Sequence, residues 1–189
     1  MNTPSHYIIN LAFLSQTIAP KQNVAITLGA ILPDVPIFLF YFIAKYIYKL
    51  PPAKIWSEAY YEPVNQNIVA LFHSIPLALI GLVICFYFDW QFGSVLFVSM
   101  IAHSLLDLPV HHDDAHRHFF PLSNYRFISP FSYWDINHFA KYVAGVELSL
   151  VLVASPFVMS CLKFPLTKGL IIIIDLFYVF SYVRFYLLR

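Results

Sequence analysis

Residues 67–88, 93–109, 143–162 and 169–188 are four almost unbroken apolar runs, each close to the length a helix needs to cross a bilayer. A water-soluble domain must cover such helices with charge. Here only 11% of the residues are Asp, Glu, Lys or Arg, and 60% are hydrophobic, whereas soluble domains carry about 25% charged residues. The sequence therefore predicts an all-α polytopic membrane helix bundle forming one domain over residues 1–189, with the lipid bilayer as its first partner. A net charge of +1 argues against a nucleic-acid footprint. Cys85 and Cys161 lie inside apolar segments and read as small core residues rather than a disulfide.

The N-terminal third is less regular. Thr3-Pro4 reads as a cap followed by a proline in the first turn, opening a helix to about Ile18, roughly 22 Å long. No Lys or Arg precedes it, so it lacks the charged start of a cleaved signal peptide. Residues 23–33 form a second piece, stopped or kinked at Pro33-Asp34-Val35-Pro36; a break is favoured over a continued helix because proline removes a donor and clashes one turn back. Residues 37–50 are apolar and aromatic and read as either spanning or lying in the interface; 51–66 read as a polar loop. With the four long runs this makes about six membrane helices, including a short N-terminal helical hairpin. The connection 110–142 is long for a compact fold and is expected to carry function.

A hairpin that crosses puts the N-terminus, 49–66, 110–142 and the C-terminus on one side. That side holds Lys49, Lys54, Arg117, Arg126, Lys141 and Arg189, against Lys21, Lys163 and Lys168 on the other. The excess predicts that it is cytoplasmic. The same topology brings His6, His73, His103 and Asp107 to one face of the membrane, with Asp34 joining if the chain breaks at Pro33.

Five of the eight histidines fall between residues 103 and 118. His103 and Asp107 are one helical turn apart, so an imidazole nitrogen and a carboxylate oxygen share a face. Ionisable groups are costly in a bilayer and mark sites when they occur there. Imidazole with carboxylate suits a divalent ion, zinc first, with manganese, iron or nickel as alternates, and disfavours an all-oxygen cage. A bridging or orienting carboxylate such as Asp34 or Asp107 is what a two-metal hydrolytic site requires. Each residue alone also fits an ordinary hydrogen-bonded role; their joint arrival on one face makes the metal reading.

Thr3-Pro4-Ser5-His6, Leu32-Pro33-Asp34, His73-Ser74 and His103-Ser104-Leu105-Leu106-Asp107 resemble, in order and rough spacing, the YdjM-like membrane-bound metal-dependent hydrolases. These are small proteins of the bacterial inner membrane. The resemblance runs over roughly residues 1–130 and implies a multi-helix membrane fold with His6, Asp34, His73, His103 and Asp107 as metal ligands. The order His, Asp, His, His-x-x-x-Asp is also distantly similar to zinc-dependent phospholipase C. In the YdjM-like pattern a His-Arg-Gly-x-Thr segment precedes the His-Ser pair, where this chain has Ile68 to Phe72. A Thr-Pro-x-Gly turn follows the second aspartate, where this chain has the run 111–118.

That run offers His112 and His116, and likewise Asp114 and His118, at spacings that share a helical face. It reads either as a solvated loop or as catalytic, with His112 and His116 as general acid and base near neutral pH. His111, Asp113, Asp114 and His118 form a second tier of ligands or proton carriers. Arg117 and Arg126 are candidates for holding a substrate phosphate, or snorkel to headgroups. Phe119, Phe120, Tyr125, Phe127, Phe131, Tyr133 and Trp134 form an interfacial belt or line an entry for a lipid tail. Glu147 and Asp175, inside apolar segments, read as structural partners of other helices. The chain is expected to be a membrane-bound metal-dependent hydrolase of a membrane-proximal phosphoester or ester. The alternatives are a divalent-metal transporter, a di-iron oxidase suggested by His112-x-x-x-His116, and a non-catalytic metal-binding scaffold.

Overall fold

A computed structural model describes residues 1–19 and 21–188; Arg189, counted above in the charge bias, lies outside the described residues. The fold is all-helical, with no strand among the described residues. Its helices are α1 (Thr3–Thr17), α2 (Asn23–Ile47), the short α3 (Pro52–Ser57), α4 (Pro63–Phe72), α5 (Ile75–Tyr87), α6 (Gln91–Val110), α7 (Ala140–Cys161) and α8 (Pro165–Leu187). By length and hydropathy α2, α6, α7 and α8 can each cross a membrane, and α4 with α5 makes a fifth, bent span.

α1 is the inner helix. It packs on α2, α6 and α7, while α2 lies on α6, α5 on α6, and α7 on α8. Ile8, Leu11 and Leu14 of α1 pack with Ile26, Val95, Val151, Val158 and Ile171 in one apolar core. Polar side chains tie the inner helix across the interface. Asn10 Nδ2 donates to the carbonyl and hydroxyl of Ser99, at 2.9 and 3.0 Å, and Ser99 Oγ donates to the Ile26 carbonyl at 2.7 Å. The outer faces carry exposed Phe13, Leu39, Phe42, Val83, Phe86, Ile173 and Phe180, the surface expected of a bundle whose solvent is lipid.

Three local expectations need correction. Pro33 and Pro36 do not stop the second helix. The backbone stays right-handed through a tight 3-10 turn at Leu32–Asp34, which absorbs the missing donors as membrane helices commonly do. Asp34 therefore sits near the middle of a 25-residue span and reaches the other candidate ligands without any break. Residues 51–66 hold α3 and a further 3-10 turn rather than only loop. The run expected as one helix over 67–88 is bent by 41° at His73-Ser74. There Ser74 Oγ accepts from Leu77 N at 3.1 Å and caps α5, with Pro76 in the first turn.

α2 and α6 approach closely at Gly29, where an added Cβ would meet the Leu96 carbonyl oxygen at 2.3 Å and Ser99 Cβ at 2.7 Å. Small residues at such contacts let membrane helices pack backbone to backbone. At Gly81 the nearest atoms belong to the far end of the Phe97 ring, which can turn aside. Gly29→Ala should therefore lower the thermal stability of the detergent-purified protein by about 1–3 kcal/mol, and Gly81→Ala should cost clearly less. Equal melting temperatures for the two variants would contradict this packing.

Candidate metal centre

The centre is assembled by five residues from four elements. His6 comes from the first turns of α1, Asp34 from the 3-10 turn of α2, His73 from the bend between α4 and α5, and His103 with Asp107 from the last turns of α6. All five are buried, His6, His73 and His103 completely.

Three overlapping groups have ligand atoms within 4.8 Å of one another: His6, His103 and Asp107; Asp34, His73 and His103; and His73, Asp107 and His116. Each pair of groups shares one residue, so they form one continuous cluster. Asp107 stands at its centre. Its Oδ1 lies 2.9 Å from His6 Nε2 and 3.1 Å from His111 Nε2, and Oδ2 lies 3.2 Å from His103 Nε2 and 3.8 Å from His73 Nε2. The terminal ammonium of Met1 also approaches Oδ1, at 2.5 Å. Asp34 Oδ1 is 3.5 Å from His73 Nε2 and 3.6 Å from His103 Nε2, and its Oδ2 accepts from Thr3 Oγ1 at 2.5 Å.

The hydrogen bonds behind the rings matter as much as their meeting point. His73 Nδ1 lies 3.0 Å from the Val69 carbonyl and His103 Nδ1 lies 2.7 Å from the Ala30 carbonyl. A carbonyl only accepts, so each Nδ1 carries a proton, and in the neutral ring each Nε2 then presents a lone pair to the cluster. Both Nε2 atoms are buried and have no hydrogen-bond partner among the described residues. Native proteins rarely leave buried polar atoms unpaired. A backbone carbonyl behind the ring and a bare Nε2 in front is the arrangement of metal-ligating histidine. The buried His/Asp groups can hold a divalent ion, and the donor set of imidazole and carboxylate, without thiolate, fits one.

The loop 110–142 closes over this cluster. It is pinned by Ser129 N to the His111 carbonyl at 3.0 Å, Tyr133 N to the Val110 carbonyl at 3.0 Å and Ile75 N to the His118 carbonyl at 2.9 Å. His116 and His118 are turned inward and buried. Burial, with His73 adding to it, holds His116 well below the usual imidazole range, and burial pushes His118 down to about 3. Both are thereby kept in the neutral form that can accept or ligate. For His111, burial and the terminal ammonium oppose protonation, but Asp107 and Asp114 outweigh them and raise its pKa.

The run 111–118 is not a helix, so the shared faces expected for His112 with His116 and for Asp114 with His118 do not exist. The chain leaves the last turn of α6 in extended conformation at His111, and the two histidines part. His116 packs against the His73 ring at 4.1 Å. His112 stacks on His138 at 3.6 Å, with its Nδ1 2.5 Å from the Ser129 carbonyl, outside the three groups. Arg117 donates to Asn67 and Asn124, at 2.7 and 3.0 Å. Arg126 donates to the Ala115 carbonyl and to Gln66, at 2.6 and 2.7 Å, holding the loop against α4. Cys85 and Cys161 are free thiols.

A cavity of about 780 Å³ reaches the cluster at Asp34, His111 and His116, with Asp113 and Asp114 also on its wall. Ile37, Phe38, Trp56, Tyr60 and Tyr61 also line it. Tyr133 and Trp134 from the aromatic run line it too, and no Lys or Arg does so among the described residues. The contribution of α3 and of Thr3 was not evident from the sequence, although Trp56, Tyr60 and Tyr61 recur at helix-like spacing within the segment read as loop.

His103→Ala and Asp107→Ala should each lower divalent-metal content of the purified protein about tenfold or more, measured by elemental mass spectrometry. His112→Ala should retain the wild-type content. Comparison with models of known protein families, with curated proteins and with solved structures finds no match to this chain.

Proposed function

We propose that the chain is a membrane-bound metal-dependent hydrolase that cleaves a phosphoester or ester presented at the membrane surface. The observation that carries this reading is the pair of bare, buried Nε2 atoms on His73 and His103 beside Asp34 and Asp107, next to a cavity large enough for a small-molecule substrate. The resemblance to the YdjM-like hydrolases supports it. Zinc suits the donor set first, with manganese or iron as alternates.

His6, Asp34, His73, His103 and Asp107 would hold the ion, and His116 would join them from the loop. An ion bound there supplies Lewis acidity and acidifies water near neutral pH. The chain's own residues do the rest. Ile37, Phe38 and Trp56 offer an apolar wall to a lipid tail. His111, between Asp107 and Asp114 on the cavity wall, is placed to hand a proton to a leaving group. Arg117 and Arg126 are engaged by the loop and α4, so neither is offered to a substrate phosphate. The Lys/Arg bias supports a site on the cytoplasmic side, and the YdjM-like resemblance supports a bacterial inner membrane.

The bend at His73 favours a second reading, a divalent-metal transporter, since broken helices often frame transport sites. Turnover separates the two. Metal-loaded protein should hydrolyse a phosphodiester or ester reporter, and His116→Ala should lose metal and turnover together. A normal metal content with a reduced rate would instead move His116 to proton transfer. Metal uptake into vesicles without hydrolysis of either reporter would favour transport. Reporter fusions at Asn124 and Lys168 should fall on opposite sides, with Asn124 inside; Asn124 outside would reverse the orientation.

A further inference from the structure

A second cavity, of about 300 Å³, lies between α7 and α8 and shares Asn2, Pro4, Tyr133 and Trp134 with the lining of the first. At its inner side is Glu147, 3% exposed. Its two oxygens differ sharply. Oε1 accepts from Asn2 N at 2.9 Å, Asn2 Nδ2 at 3.0 Å, Tyr178 OH at 3.3 Å and the Ser5 hydroxyl. Oε2 is buried and has no hydrogen-bond partner among the described residues. The donors gathered on one oxygen fit an acceptor-only carboxylate, and a buried carboxylate oxygen without a partner is a costly thing to keep.

The rest of the wall tells what would answer it. Trp134, Phe177, Tyr178, Tyr182 and Phe185 surround the space, and no Lys or Arg lines it among the described residues. An anion or a plain hydrocarbon would leave Oε2 as it is. An organic cation would meet a carboxylate and several aromatic faces at once, the combination that binds ammonium groups. Glu147 is the eighth residue of α7, about 10 Å along the helix from its start. That depth is within reach of a lipid headgroup as well as of a soluble amine.

We propose that this cavity is a binding site for an organic ammonium group, with the Glu147 carboxylate as its counter-ion and the aromatic walls as its cage. The site is separate from the metal centre and does not depend on the hydrolase reading. It differs from an ordinary structural pairing of Glu147, which would satisfy both oxygens within the bundle.

The test is calorimetric titration of the detergent-purified full chain with tetramethylammonium chloride, against sodium chloride as control. Wild-type protein should give a saturable signal. Glu147→Gln, which keeps an acceptor for Asn2, Ser5 and Tyr178, should weaken binding at least tenfold. Tyr182→Leu, which removes an aromatic face away from that network, should weaken it several-fold, and unchanged metal content in both variants would show that the fold is kept. Repeating the titration in nanodiscs identifies the source. A signal lost in phosphatidylcholine but kept in phosphatidylglycerol assigns the site to a lipid headgroup, and one kept in both assigns it to a free amine. No saturable signal from the wild type, or binding undiminished in Glu147→Gln, would overturn the proposal.

Discussion

The burial of Asp107 sets the terms for the rest of this structure. A carboxylate withdrawn from water inside an apolar bundle costs several kcal/mol even after relaxation. Four imidazole nitrogens, from His6, His73, His103 and His111, lie within 3.8 Å of its oxygens. Two of them, on His73 and His103, have their Nδ1 protons committed to carbonyls on the far side of the ring, so in the neutral form they cannot donate to the carboxylates they face. The Met1 ammonium and His111 answer Oδ1, whereas Oδ2 and Asp34 Oδ1 face the unpaired Nε2 atoms of His73 and His103, and a divalent ion is a species that would satisfy that side.

The helix packing follows from that requirement. α1 is too short to be a robust span, yet it is the innermost helix because it delivers His6 to Asp107 and Thr3 to Asp34. Asn10 and Ser99 hold it against α6, and Gly29 lets α2 come close enough for the Ala30 carbonyl to reach His103. The bend at Ser74 turns His73 inward while the Ser104 hydroxyl donates to the His73 carbonyl at 3.0 Å. The loop 110–142, held by Arg126 and by its own backbone bonds, completes the enclosure with His116.

The parts of this arrangement that are decided locally were legible in the sequence. Helical spacing alone puts His103 and Asp107 on one face, and hydropathy alone marks the long spans. The prolines of α2 misled, because a stop and a tight 3-10 turn have the same local signal and only neighbouring helices choose between them. The bend at His73 was written in Ser74 and Pro76, a cap and a first-turn proline, but was hidden by continuous hydropathy on both sides. The loop was the least readable. His112 and His116 share a spacing that means something only on a helix, and in irregular chain their separate fates depend on Ser129, Val110 and Ile75, which no periodicity connects to them. Glu147 was visible as a buried charge, whereas the inequality of its two oxygens needed the positions of Asn2, Ser5 and Tyr178.

X-ray absorption at the metal edge of the purified protein tests the central claim most directly. The account predicts a bound divalent ion with only nitrogen and oxygen neighbours at about 2.0–2.2 Å and the multiple-scattering pattern of at least two imidazoles. A sulfur neighbour at about 2.3 Å, or protein that carries no divalent ion after supply and washing, would contradict it.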